Sequence, residues 1–252
     1  MKIVNTRNIP EALFKYLSQD SYDYSAKGDS LSATEILNPT RVVVLKRKYG
    51  EELVMEAADR LWQMLGNGVH AILEKEKGIE KIERLKWVIE GREISGKWDR
   101  IINNQITDYK VTSAISVMYK SREKEWKEQL SIYRFLYFKN KGILLDSKGF
   151  IVALLRDWNE KELKNSKYPK ENAVQIELKL MSIEDTEKFL SEKVLAIIKA
   201  EGLDDVALPE CSDEERWWND YKKVYNRCEK YCDVNKYCNQ YQETLAHIKE
   251  TK

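Results

Sequence analysis

Two short stretches carry residues that could do chemistry together. Gly96-Lys97-Trp98-Asp99 is followed, seven residues on, by Ile106-Thr107-Asp108-Tyr109-Lys110. The spacing predicts a hairpin with one carboxylate, Asp99, on its first strand and a second, Asp108, on the next. Residues two apart in a strand face the same side, so Lys110 points with Asp108. Asp99 and Asp108 could then share a divalent cation beside an ammonium group. Those parts suit phosphodiester hydrolysis, which needs the phosphate neutralised, a water activated and the developing charge stabilised.

Asp-x-Lys alone says little in a chain with 43 Lys and Arg against 42 Asp and Glu. Order and context say more. Upstream lies Leu65-Gly66-Asn67-Gly68-Val69-His70-Ala71-Ile72-Leu73-Glu74, and downstream lies Gln129-Leu130-Ser131-Ile132-Tyr133. The series Gly66/His70, Asp99, Asp108/Lys110, Gln129/Tyr133 resembles the PD-(D/E)xK nuclease superfamily, and within it the RecB-like and phage exonuclease branch. The likeness spans roughly residues 30–140 and extends to a C-terminal cysteine cluster related to that of the CRISPR adaptation exonucleases.

The resemblance implies a restriction-endonuclease-like α/β core of the α+β type, with a central mixed sheet flanked by helices. It implies a Mg²⁺ or Mn²⁺ site made by His70, Asp99, Asp108 and the backbone carbonyl of Tyr109. Lys110 then orients the attacking water or stabilises the transition state, and Gln129 and Tyr133 bind DNA and brace the site. Without the resemblance His70 reads as a helix histidine, in the core or exposed, Tyr133 as core and Gln129 as surface. Glu74, one turn after His70, reads as an exposed helix glutamate more readily than as a ligand. The implied activity is a metal-dependent DNA exonuclease that resects ends in recombination or repair of a phage or mobile element. The implied partners are duplex ends or single strands of DNA and a recombinase or single-strand-annealing protein. Two alternatives stay open: a structure-specific or single-strand endonuclease, and a catalytically silent DNA-binding or scaffold subunit.

All four cysteines, Cys211, Cys228, Cys232 and Cys238, lie in the last 42 residues. In a cytosolic protein such clustering argues for a metal rather than disulfides. Four thiolates can hold a [4Fe–4S] cluster or, as the alternative, Zn²⁺; four unligated thiols are the remaining option. The pattern departs from the related nucleases, which carry one cysteine before the nuclease motifs and three at the C-terminus, commonly with Cys-x2-Cys. Here none precedes Cys211, and Cys228 and Cys232 are separated by three residues.

The rest of the chain bounds these expectations. Its 252 residues, 42% of them hydrophobic, suit one elaborated domain. The expected division is a nuclease domain over 1–208 and a helical, cysteine-containing tail over 209–252 packed on it. A mean hydropathy of −0.61 and the lack of any long apolar run exclude a membrane span. Met1 to Asn8 lacks an apolar signal core, which makes a cytoplasmic protein the expectation. The net charge of +1 does not advertise nucleic-acid binding. Local basic clusters, Arg41/Lys46/Arg47/Lys48 and Lys120/Arg122/Lys124, read equally well as solvated helix faces.

Several elements must position the candidate residues. Ser32 with Glu35 three residues on predicts a capped short helix closed by Pro39. A helix is predicted over about 51–77, its apolar stripe formed by Leu53, Ala57, Leu61, Met64, Leu65, Val69, Ile72 and Leu73. Gly66 and Gly68 inside it suggest close backbone approach or a bend. Strands are predicted over 85–89, 93–102, 105–111, 150–155 and 174–180, in a mostly meandering sheet. Helices are predicted over 124–140 and 182–200, and a tyrosine-rich turn at Ser21-Tyr22-Asp23-Tyr24.

Overall fold

The structure, a computed structural model, describes residues 1–19, 30–73, 75 and 83–250. The turn expected at Ser21–Tyr24, and Glu74, lie outside the described residues. In chain order the elements are β1 (Lys2–Val4), α1 (Glu11–Ser18), β2 (Leu31–Ser32), α2 (Ala33–Ile36), α3 (Thr40–Tyr49), β3 (Val54–Glu56) and α4 (Leu61–Leu73). There follow β4 (Leu85–Ile89), β5 (Arg92–Gly96), β6 (Arg100–Ile102), β7 (Gln105–Thr112), α5 (Ala114–Met118), α6 (Glu123–Lys141), β8 (Lys148–Leu155) and β9 (Ala173–Lys179). The chain closes with α7 (Ile183–Glu201), α8 (Asp213–Arg216), β10 (Trp218–Asn219), β11 (Val224–Tyr225), α9 (Asn226–Lys230) and α10 (Asn239–Glu250). This is a mixed α+β fold. Among the described residues no helix is long and apolar enough to cross a membrane.

The chain divides into two compact units, each drawn from segments distant in sequence. One comprises Met1–Asp20, Asn38–Asp59 and Glu192–Lys252; the other comprises Ser21–Leu37 and Arg60–Ser191. The second holds a four-stranded sheet in the order β6-β7-β8-β9 and a three-stranded sheet in the order β2-β5-β4. The sheet is less of a meander than expected. β7 and β8 run parallel, Asp108 opposite Ile151 and Lys110 opposite Ala153. Parallel neighbours cannot be joined by a tight turn, and the crossover here carries α6. The β6–β7 hairpin turns on Asn103-Asn104, both at positive φ (49° and 62°). Asparagine tolerates that region, and two such residues make the turn whose twist matches the strands.

α6 is the spine of this unit. Trp126, Leu130, Ile132, Phe135 and Leu136 are almost fully buried, as are Ile94, Ile106 and Ile151 of the strands. Each such side chain contributes roughly 1.5–3 kcal/mol on leaving water. α2 has the expected capping box: Ser32 Oγ accepts from the Glu35 N–H (3.1 Å), and Glu35 reaches back to the Ser32 N–H.

The helix expected over 51–77 is a correction. Residues 51–60 form a turn, the strand β3 and one 3-10 turn, and the helix proper begins at Leu61. β3 is claimed by β1, with which it pairs in parallel from some fifty residues away. None of the α4 residues is buried, so its apolar periodicity marks a helix without marking core. Leu53 and Ala57 are buried but belong to the other unit.

That first unit contains α3, which the sequence pattern did not announce. Its basic residues are a solvated face only in part: Lys48 is exposed, whereas Arg41 is buried. Arg41, 3% exposed, donates to the carbonyls of Leu208 (2.5 Å), Pro209 (3.1 Å) and Asp205 (3.4 Å). Lys48 pairs with Asp205 at 2.7 Å, Lys46 with Asp233 and Arg47 with Glu201. A cluster of Val42, Val44, Leu45, Leu53, Ala200, Leu208, Val234 and Cys238 forms the apolar heart of this unit.

Candidate metal-carboxylate site

Strand alternation puts Asp108 and Lys110 on one side of β7, as expected. Lys110 Nζ lies 2.6 Å from Asp108 Oδ2. The contact is off-axis, so that buried oxygen has an ionic neighbour but no directed hydrogen-bond donor. Asp108 is 3% exposed. Burial pushes its carboxyl up from 3.8 to about 6; Lys110 pulls it down and Asp99 adds to the rise.

Asp99 is not within a strand. β5 stops at Gly96 and β6 starts at Arg100, so Asp99 sits in the break between them. That break lets its carboxylate turn toward β7: Oδ2 accepts from the Tyr109 N–H at 2.7 Å, and Oδ1 lies 2.9 Å from His70 Nδ1. The Asp99 hydrogen bond raises the His70 imidazole above its ordinary value of 6.5, against the opposing effect of burial. α4 packs on β7 and so delivers His70 to this point.

The loop carrying Asp99 is held from α6. A Cβ on Gly96 would lie 2.8 Å from Cδ1 of Tyr133 and 2.9 Å from Cδ1 of Leu136, so only glycine admits that ring. Trp98, itself buried, meets Tyr137 edge-on at 5.3 Å. Gln129 donates to the Tyr133 hydroxyl at 2.7 Å, and both residues are only 5% exposed. The pair braces the end of β5, and Gln129 is not the surface residue its type suggests. α4 runs unbroken through Gly66 and Gly68, and among the described residues a Cβ at either would meet nothing within 4 Å, so no close backbone approach is found there.

His70, Asp99, Asp108, Lys110 and Tyr109 are therefore brought together. Among the described residues, no three His, Cys, Asp or Glu side chains are already arranged as a metal-ligand set. The reason is local: the four charged groups are paired off, His70 with Asp99 and Lys110 with Asp108. The donor types nonetheless fit Mg²⁺ or Mn²⁺, which prefer carboxylate oxygens and, for Mn²⁺, accept an imidazole. The buried Asp108 Oδ2, lacking a donor, is the atom a cation would satisfy.

The four cysteines are all free thiols within the first unit. Cys238 is buried in the apolar cluster, and Cys211 and Cys232 pack against it. Gln240 ties Cys211 in place through two hydrogen bonds of 2.9 Å, and Asn235 donates to the Cys228 carbonyl at 2.9 Å. Burial, with Glu215 and the other three thiols nearby, pushes the Cys211 thiol up to about 12. Burial likewise raises Cys232. Cys211 precedes the hairpin β10–β11 in sequence and lies near enough to the other three thiols to feel them, though among the described residues no three cysteines are arranged as a metal-ligand set.

No protein-family model matches the chain, and no curated protein matches it. Among solved structures, the protein SSO0001 is similar at 15% identity and a TM-score of 0.49, covering 91% of this chain and 92% of the other. A candidate exonuclease from Eubacterium rectale is similar at 13% identity and a TM-score of 0.40, over 74% and 87% of the two chains. A phage-related exonuclease from Haemophilus somnus 129PT follows at 11% and 0.31, over 73% and 89%. Likeness at this level decides nothing about activity, which must be read from the atoms of the site.

Proposed function

We propose that the chain is a divalent-metal-dependent deoxyribonuclease, acting as an exonuclease on DNA ends. One observation carries this reading: a buried carboxylate, Asp108, held beside an ammonium and facing a second carboxylate, at the edge of a hairpin. A purely structural Asp108–Lys110 pair would have no use for a second carboxylate, Asp99, whose charge works against ionisation of the buried Asp108. Asp99, Asp108, His70 and the Tyr109 carbonyl would hold Mg²⁺ or Mn²⁺, which supplies Lewis-acid polarisation of the phosphate and acidifies a water. Lys110, released from Asp108, lies where it can meet the phosphate oxygens and their growing charge. His70, tied to Asp99, must lose its proton to serve as a ligand. Gln129 and Tyr133 keep the Asp99 loop in place. A binding-only scaffold would need none of Asp99, Asp108 and Lys110 in this arrangement.

The test is cleavage of end-labelled duplex and single-stranded DNA with Mg²⁺ or Mn²⁺, and with EDTA. Stepwise products from an end, lost in Asp108→Asn, are expected. Internal cuts alone would make it an endonuclease; DNA binding without any cleavage would leave the scaffold reading.

We further propose that Cys211, Cys228, Cys232 and Cys238 hold a structural [4Fe–4S] cluster, with Zn²⁺ as the alternative. Their support is proximity: burial raises the thiols of Cys211 and Cys232, the neighbouring thiols add to both rises, and polar contacts of the same unit hold Cys211 and Cys228.

A further inference from the structure

A second built feature lies along the same helix and strand. Trp62 opens α4 two turns before His70, with Gly66 between them. At 100° per residue the three lie within about 80° of one another on the helix, and Trp62 stands about 12 Å from His70 along the axis. On β7 the side holding Asp108 and Lys110 continues to Thr112, about 13 Å from Asp108 at strand rise. There the Arg156 N–H donates to the Thr112 carbonyl at 3.0 Å. The Arg156 guanidinium sits over the Trp62 ring, 4.4 Å from its centroid. Helix and strand therefore give the same span by independent rulers, with the carboxylate site at one end and the Trp62–Arg156 pair at the other.

Among the described residues the span between is open on the helix side, since a Cβ at Gly66 would meet nothing within 4 Å. A glycine in a helix interior costs about 1 kcal/mol relative to alanine, and among the described residues no packing calls for it. Trp62 is 54% exposed, and among the described residues no carboxylate pairs with Arg156. An exposed indole beside an unneutralised guanidinium suits one chemistry well: a base stacking on the ring and a phosphate taking the guanidinium N–H groups.

We propose that Trp62 and Arg156 form a binding subsite for a single DNA strand, with the strand's backbone passing over Gly66 to the carboxylate site. The subsite lies about three to four nucleotides from the scissile phosphate at the ~3.4 Å rise of B-form DNA, fewer if the strand is stretched. The inference rests on the nuclease reading of the Asp99–Asp108 site. Trp62 and Arg156 are binding residues and touch no reacting atom.

The experiment measures affinity for a labelled single-stranded DNA 12-mer by fluorescence polarisation, in the non-cleaving Asp108→Asn protein. Trp62→Ala and Arg156→Gln on that background should each weaken binding, roughly 5- to 100-fold for the lost stacking. Trp62→Phe should restore most of it. In the cleaving protein, KM should rise more than kcat falls. A dinucleotide is too short to span the gap and should respond to neither substitution. Unchanged 12-mer affinity in both variants, with unchanged far-UV circular dichroism, would overturn the proposal and make the pair a surface contact. The two readings fail separately. Binding that depends on Trp62 without any metal-dependent cleavage keeps the subsite and removes the nuclease; cleavage with KM indifferent to both variants does the reverse.

Discussion

Asp108 is the residue whose removal should help the metal-free protein. Burial raises its carboxyl to about 6 in the fold, from an ordinary 3.8. Between those values the folded state binds more protons than the unfolded one, so this group's contribution to stability falls as pH rises. The full gap is worth about 3 kcal/mol at ~1.4 kcal/mol per tenfold change. About 1.4 kcal/mol of it separates pH 5 from pH 7.5 by the same linkage. Asp108→Asn keeps the shape and cannot ionise. At pH 7.5 in EDTA it should therefore be the more stable protein, by up to about 3 kcal/mol, a difference in which the Lys110 attraction is already included. Urea unfolding at the two pH values measures both. The wild type should lose about 1.4 kcal/mol more than the variant between pH 5 and 7.5. Adding Mn²⁺ should then stabilise the wild type and leave the variant unmoved. An identical pH 5-to-7.5 change in the two proteins, or a variant weaker at pH 7.5, would refute the claim that Asp108 is held against its own charge.

Further outcomes follow from the same geometry. Lys110→Ala should lower turnover of bound DNA more than DNA affinity, read by single-turnover cleavage; the reverse pattern would make Lys110 a phosphate anchor. His70→Ala should raise the metal concentration needed for activity. Because Asp99 lifts the imidazole above 6.5, wild-type metal affinity should climb as pH rises through that region, and the variant's should climb less. Gly96→Ala places a Cβ 2.8 Å from the Tyr133 ring and should cost about 1–3 kcal/mol of stability on overpacking grounds, checked by chemical unfolding. Anaerobically purified protein should be brown, and Cys232→Ser should bleach it; stoichiometric zinc in colourless protein would replace the cluster, and four freely alkylated thiols would remove both.

Spacing made the chemistry of the site legible. Asp108 and Lys110 share a strand face because they stand two positions apart, whereas His70 stands out only through the family resemblance, its spacing alone reading as a plain helix histidine. β4, β7, α6 and α7 were legible for the same kind of reason, being local patterns ended by local signals. α3 was not, because Val42-Val43-Val44-Leu45 is an unbroken apolar run that shows no helical period. Arg41 looked solvated because its partners, the carbonyls around Leu208, lie more than 160 residues away. β3 hid for the same reason, its ladder belonging to β1. The break at Asp99 depends on Tyr133 and Tyr137 gripping the strand end from α6, and no local rule announces that. Trp62 drew no attention either, since its partner Arg156 follows the end of β8, 94 residues later.

The unit that houses the cysteines has a timetable built into it. Its first pieces, residues up to 20 and 38–59, are translated early, and its last piece begins at Glu192. At ~5–20 residues per second a ribosome needs about 10–40 s to travel from residue 59 to the end of the chain. Through that interval Val42, Val44 and Leu45 have no Leu208 or Val234 to cover them, and Arg41 has no carbonyls to hold. The intervening segment, 60–191, carries nearly all of the other unit and is free to condense meanwhile. Nascent chains stalled before Leu208 should thus present α3 as a sticky, unfinished surface, one that chaperones would recognise and that only the synthesis of Leu208 through Cys238 can close.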